Sequence, residues 1–454
     1  MAHPPSSRYS VRPTFSVILT LAMIALLWVA GGASRPDVAG QVVVRAGSWI
    51  IMVAAILMGP KPEVDGVRPV LLLIIAAILL PLLQLIPLPP ALWQSLPGRD
   101  ILLIPGEPTP WRPWTMTPGA TRNALAALIV PVAMFVILTQ ADRTAHRMMP
   151  TIVLVMITAA MLLGLVQFSG VQANSPLLND SPGVVSSIFA NRNHFALLLA
   201  IGCLVAPVWA FLDPEALRWR GPLATGLIIL FVLTLLATGS RTGMLLGGLA
   251  LGLAVILVGQ RLRHRLRRGP RWRLVAFVVA AIVLIAGFIA LSFAADRADA
   301  INRLVELEGG EDMRSRALPT VLSMIGTYMP FGSGFGGFDS IFRIHEPFAL
   351  LKPSYFNQAH NDYLGIALDG GIAALAVLAA CIVWWIVATI RIRRSKGDNV
   401  ALTGKLGSAI ILLILVASVT DYPARTPTVM AFLVIAGVWL ARADAHPSQT
   451  ALPS

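Results

Sequence analysis

Charge is scarce in this chain. Asp, Glu, Lys and Arg make up 13% of its 454 residues, against roughly 25% in a soluble globular domain. That shortage excludes a fold of this size with a fully solvated surface. Cysteine is nearly absent: Cys203 and Cys381 both sit in apolar runs, which supports neither a disulfide framework nor a metal site. Only seven histidines and five tyrosines occur, so any of them gathered outside an apolar run stands out. What the chain has in abundance is hydrocarbon, with 56% hydrophobic residues and a mean hydropathy of +0.77. Its apolar runs are long enough to cross a ~30 Å hydrocarbon core. The reading is an all-α polytopic membrane protein.

About twelve transmembrane helices are expected, at 14–31, 43–59, 68–88, 122–140, 149–169, 194–212, 221–238, 242–260, 274–294, 363–390, 403–420 and 426–442. The run from Leu223 to Val258 is twice one crossing, and "ATGSRTG" within it reads as a tight turn between two helices. The first run follows Arg8 and Arg12 without a small-residue cleavage site, so it is kept as a helix. Residues 1–442 form one integral membrane domain on this reading, and 443–454 a disordered tail. The net charge of +13 follows from topology. With a cytoplasmic N-terminus, the inward span ends carry more than half of the 35 Lys and Arg, including "RLRHRLRRGPRWR" and "RIRRSK". No nucleic-acid partner is needed to explain it, and the C-terminus is cytoplasmic too.

The same topology sends every unusual polar motif to the outward side. "FANRNHFA" (189–196) holds Asn191, Asn193 and His194 with an arginine between them, and "TGSRTG" (238–243) holds Arg241. The long outward loop 295–362 carries short helices, one expected from Arg314 to Met329, followed by "PFGSGFGGF". "SYFNQAHNDYLGIALDGG" (354–371) contains His360, Asn361, Asp362 and Asp369, and "TDYPAR" (420–425) contains Asp421 and Arg425.

Plainer roles compete for each residue. Arg241 could snorkel to headgroups, although an arginine among small residues and hydrocarbon tends to have a partner or a polar cavity. His360 could sit at a helix start, where Asn361 and Asp362 suit the first turn. Asp421 and Arg425 could pair with each other across a two-helix turn. "GSGFGGF" formally contains G-x-G-x-x-G, but without a strand before it the dinucleotide reading fails and a flexible or tightly packed loop is expected.

Arginines at span ends suit a lipid diphosphate, because guanidinium keeps its charge and offers paired donors. A histidine on the same side suits removal of a proton from a hydroxyl. No D-x-D pair appears on the outward face, and a metal is not implied.

The ordered motifs "FANRNHFA", "TGSRTG", an arginine-led helix with "PFGSGFGGF", and "AHNDYLGIALDGGI" resemble the O-antigen ligase and polymerase superfamily over about 185–385. The resemblance implies a GT-C-like, metal-independent glycosyltransferase of a bacterial inner membrane, without a cofactor and with its active site periplasmic. Its donor would be a glycan on undecaprenyl diphosphate, and its acceptor lipid A-core or a growing glycan. Arg241 and Arg314 match the family's diphosphate-binding arginines, and His360 its proposed base. Arg316 competes with Arg314 for that match, since "RSRALP" departs from the family pattern, and Asp369 replaces a common glutamate. Asn191, Asn193, His194, Asn361, Asp362, Asp421 and Arg425 are expected to support the site. Ligation to lipid A-core is the leading expectation. Polymerisation with the same donor, glycan transfer to protein, and, in another class, polysaccharide or solute transport are the alternatives.

Overall fold

Leu, Ile, Val and Ala dominate the spans, and in hydrocarbon a helix is the one open-ended element that satisfies its own backbone polar groups. The computed structural model describes residues 14–171, 175–179, 183–266, 312–351, 356–393 and 399–445. Among these, nine helices are long and apolar enough to cross a membrane: Ala39–Met58, Pro118–Gln140, Arg143–Phe168, Arg192–Phe211, Leu217–Ala237, Arg241–Arg263, Asp362–Arg393, Asn399–Ala417 and Pro427–Ala445. Two shorter apolar helices, Phe15–Ala30 and Arg68–Gln84, join them. Together they account for eleven of the expected spans. The remaining one, 274–294, lies outside the described residues, as does the loop up to 311.

Several boundaries move for local reasons. The third helix stops at Gln84 because Pro87–Leu88 pairs antiparallel with Arg112–Pro113, a two-stranded clip. The helix of the long loop runs Asp312–Tyr328 and ends just before Met329-Pro330. The last helix continues to Ala445, three residues into the expected tail, whose remainder lies outside the described residues.

Helix Arg192–Phe211 is buried on nearly every face, packed by Arg143–Phe168, Leu217–Ala237, Arg241–Leu266 and Asn399–Ala417. Its first turn is capped by the Asn191 side chain, which accepts from the Asn193 N–H at 2.8 Å. The bundle has two distinct ends. At one, Thr428 N–H donates to Gly31 O (3.1 Å), Ala190 N–H to Gly32 O (3.2 Å) and Asp362 N–H to Ser418 O (3.0 Å). At the other, Arg261 donates to Phe211 O (3.0 Å), Asn399 to Leu212 O (2.8 Å), and Arg442 to His146 and Leu138 O. The motifs gather at the first end, and Arg261 and Arg442 lie at the second.

The glycine-rich loop is packed, not loose. Ser333 N–H donates to Leu368 O (2.8 Å), Gly334 N–H to Asp369 O (2.9 Å) and Ile372 N–H to Pro330 O (2.9 Å). Gln84 reaches in from another span, its amide donating to Asp369 O (2.9 Å) and its carbonyl accepting from Phe335 N–H (3.0 Å). Arg99, fully buried, donates to Gly332 O at 3.0 Å and Trp114 O at 2.9 Å. This docking needs a break in helix Asp362–Arg393, supplied by Gly371 at φ 58° and ψ −147°. A Cβ there would meet Pro330 O at 2.1 Å in a conformation that L side chains rarely adopt. Gly371→Ala is therefore expected to destabilise by about 1–3 kcal/mol, read as a lower melting temperature in detergent. Gly226→Ala, where a methyl meets nothing within 4 Å, serves as the control; equal melting of the two variants would refute this account of the kink.

Candidate functional site

A cavity of about 350 Å³ opens at the motif-bearing end. Its walls come from the 31–38 turn, the loop before helix Arg192–Phe211, the start of helix Asp312–Tyr328, Asn357 and Tyr422. Three arginines line it, Arg35, Arg192 and Arg314, together with Asn179, Asn191 and His194, and among the described residues no carboxylate does. Such a wall selects for anions.

Behind that wall sits Asp421, buried. Its Oδ2 accepts from Asn191 Nδ2 at 2.9 Å and Asn193 Nδ2 at 2.6 Å. Its Oδ1 faces His360 Nδ1 at 3.5 Å and His194 Nε2 at 3.9 Å. At these lengths the histidine contacts are electrostatic rather than hydrogen bonds. Burial pushes the Asp421 carboxyl upward, but the facing His360, His194 and Arg314 outweigh it and hold the group well below the usual carboxylate range. Next to it, burial and then the Asp421 charge push the Tyr422 phenol up to about 12, so this ring stays neutral.

His360 stands between Phe356 (ring centroids 5.2 Å) and Tyr422 (5.0 Å). Its backbone is left-handed, φ 48°, uncommon for a residue with a Cβ and concentrated at functional sites. Its Nδ1 is the nitrogen turned to Asp421. Asn361 takes the capping role: its Oδ1 accepts from Leu364 N–H at 3.0 Å and its Nδ2 donates to Val419 O at 2.8 Å.

The arginines separate by position. Arg314 lines the cavity and donates to Thr420 O at 3.1 Å, whereas Arg316 donates to Ala349 O at 2.9 Å, away from it. Arg241 opens its helix between two anchors: Ser240 Oγ donates to Asn193 Oδ1 (2.7 Å), and Thr242 Oγ1 meets Thr420 Oγ1 (3.1 Å). The Arg241 turn, Arg314 and Asp421 thus converge on Thr420. His194 also reaches Thr426 Oγ1 through Nδ1 at 3.0 Å.

One expectation is corrected. Asp421 and Arg425 do not pair with each other. Arg425 turns the other way, donating to Asp369 Oδ2 at 3.0 Å and lying 3.8 Å from Asp362 Oδ1. Pro423 starts a single 3₁₀ turn, so the i, i+4 geometry of an α-helix never forms there. Asp362 is further satisfied by Ser418 Oγ (2.9 Å) and Ala424 N–H (3.1 Å). Asp362, Asp369 and Arg425 form a buried brace behind the site, with no residue in the cavity wall.

Residues 226–379 match the family model described as O-antigen ligase. Over that segment the chain is similar to the O-antigen ligase family. The match includes Arg241, Arg314 and His360 and is narrower than the 185–385 covered by the motifs. Among curated proteins no sequence matches the chain. Part of the site lies beyond the matched segment: Asn191, Asn193, His194 and Asp421 come from spans on either side of it. Arg35, Arg192, Asn179, Asn357 and Tyr422 were not among the sequence candidates. Arg192 and Tyr422 lay inside quoted motifs and could have been found there; Arg35 and Asn179 belong to loops without a motif.

Proposed function

We propose that this protein transfers a glycan from undecaprenyl diphosphate to a saccharide hydroxyl on the periplasmic face of the inner membrane, and that the acceptor is lipid A-core. One observation carries the reading: a cavity lined by arginines lies against an aspartate–histidine pair, and Arg314 and His360 of this site fall within the residues that match the O-antigen ligase family.

In this mechanism Arg241 and Arg314 hold the donor diphosphate at the cavity mouth, with its lipid tail among the helices. His360 Nε2 takes the proton of the acceptor hydroxyl as the oxygen attacks the anomeric carbon. The anomeric C–O bond to the diphosphate breaks, and its electron pair leaves on the diphosphate oxygen, where the guanidinium groups meet it. Asp421 orients the ring and stabilises the imidazolium formed by proton uptake. Because it is ionised and buried, it acts as a positioning residue and not as a second base.

A deletion strain tests the acceptor. Rough lipopolysaccharide together with accumulated long lipid-linked chains is the expected phenotype. Single repeats attached to core would make the protein a polymerase, and unaltered glycans with lost solute uptake or export would make it a transporter. Either result overturns the proposal.

A further inference from the structure

Two of the three cavity arginines are already engaged. Arg35 is paired through two contacts with Asp37, Nε to Oδ1 at 3.0 Å and Nη2 to Oδ2, and that pairing holds the Asp37 carboxyl down. Arg314 donates to Thr420 O. Arg192 differs. Among the described residues its guanidinium has neither a hydrogen-bond nor an ion-pair partner, although it lines the cavity.

Its location is specific. Gly239 has φ +60°, and a Cβ built on it would come 3.6 Å from Arg192 Nη1. The Arg192 head therefore lies over the turn that delivers Arg241, two residues further on. The neighbouring Asn191 and Asn193 are both committed to Asp421, which fixes the first helical turn from which Arg192 projects. The charged groups around this point are Arg241, Arg314, Arg35 and, behind the two asparagines, Asp421.

The chemistry of the proposed reaction supplies a use for one more cation. A diphosphate esterified at both ends carries two ionised oxygens. When the anomeric C–O bond breaks, the electron pair stays on the departing diphosphate, which gains a third. Arg241 and Arg314 match the charge of the bound donor, and Arg192, which lines the same cavity as Arg314, is placed to meet the third charge. We propose that Arg192 is a third diphosphate ligand, engaged most strongly with the charge that develops on the leaving group. This rests on the glycosyl-transfer reading above. A group that binds the transition state better than the donor lowers the barrier rather than KM.

Purified full-length protein in detergent provides the test, with farnesyl diphosphate as probe of the released product and farnesyl monophosphate as control. Arg192→Gln is expected to weaken farnesyl diphosphate binding tenfold or more and to leave monophosphate binding within about threefold. Its kcat for glycan transfer should fall roughly 10²-fold with KM for the lipid-linked donor little changed. Arg192→Lys should recover part of both losses, because charge returns without the fork geometry. Arg68→Gln, in an exposed pair with Asp65 outside the cavity lining, should behave as wild type. Wild-type binding of farnesyl diphosphate, weakened by Arg314→Gln but not by Arg192→Gln, would overturn the third-ligand assignment and leave the glycosyl-transfer reading standing. Failure of the wild type to bind the diphosphate would overturn both. If Arg192→Gln does not fold, Arg192→Lys alone decides: unchanged diphosphate affinity and unchanged kcat refute the proposal.

Discussion

His360→Ala is expected to lower glycan transfer by roughly 10²–10⁴-fold, the usual worth of a positioned general base, while the protein still reaches the membrane and melts as wild type. The reason lies in what the side chain does and does not hold up. Its ring sits between Phe356 and Tyr422 and faces Asp421, but it makes no hydrogen bond through Nδ1 to another element. Asp421 keeps Asn191 and Asn193 without it, so the cavity wall survives. KM for the lipid-linked donor should move little, since the diphosphate is held by arginines elsewhere. The measurement is single-turnover transfer from a lipid-linked oligosaccharide in detergent. Turnover by His360→Ala within threefold of wild type would remove the base from the mechanism. Asp421→Asn should be inactive: one amide oxygen can still accept from both asparagines, but the charge is lost and an NH2 group stands where Oδ1 now faces His360 and His194.

Much of this site was legible because topology sorts residues by side before any contact is known. His360, Arg241, Arg314 and the Asn191–His194 cluster share one end of the bundle because apolar run length and the basic connectors together dictate it. Pairings were not legible. Asp421 meets Asn191 across a sequence separation of 230, and Gln84 meets Asp369 across 285; neither has a local signal, since helix packing alone brings them together. The local rule failed at "DYPAR", where spacing suggested Asp421 with Arg425 and the proline-started turn sent them to opposite partners. Arg314 and Arg316 could not be separated by motif because both are arginines two positions apart on one helix. Their difference is directional: one side chain reaches Thr420 and the other Ala349. The glycine-rich loop had a readable composition but an unreadable purpose. Its glycines matter because backbone atoms of Asp369 and Gly371 come within Cβ distance of Gly332, a contact defined only once the long helix has kinked.

The brace behind the site leads to the second large effect. Arg425→Leu is expected to destabilise the protein by about 3–5 kcal/mol, the cost of leaving buried carboxylates without their counter-charge. Asp369 and Asp362 are 1% and 5% exposed at their side chains, and Arg425 is the cation that faces both. Gly365 has no Cβ where one would stand 2.4 Å from Arg425 Nη2, so the helix is shaped to admit this guanidinium. Removing the charge strands two buried acids. Arg425→Lys should recover less than half of the loss, because a single ammonium cannot reach both carboxylates as the guanidinium fork does. Adding Asp369→Asn to Arg425→Leu should restore part of the melting temperature by removing one stranded charge, a gain that simple loss of arginine packing would not produce. If Arg425→Leu alone melts as wild type, or if the added Asn lowers stability further, the brace is not held by charge. Its failure would also release the kink at Gly371 and the glycine loop docked on Asp369, which is how a residue outside the cavity would come to control the wall that carries Arg314.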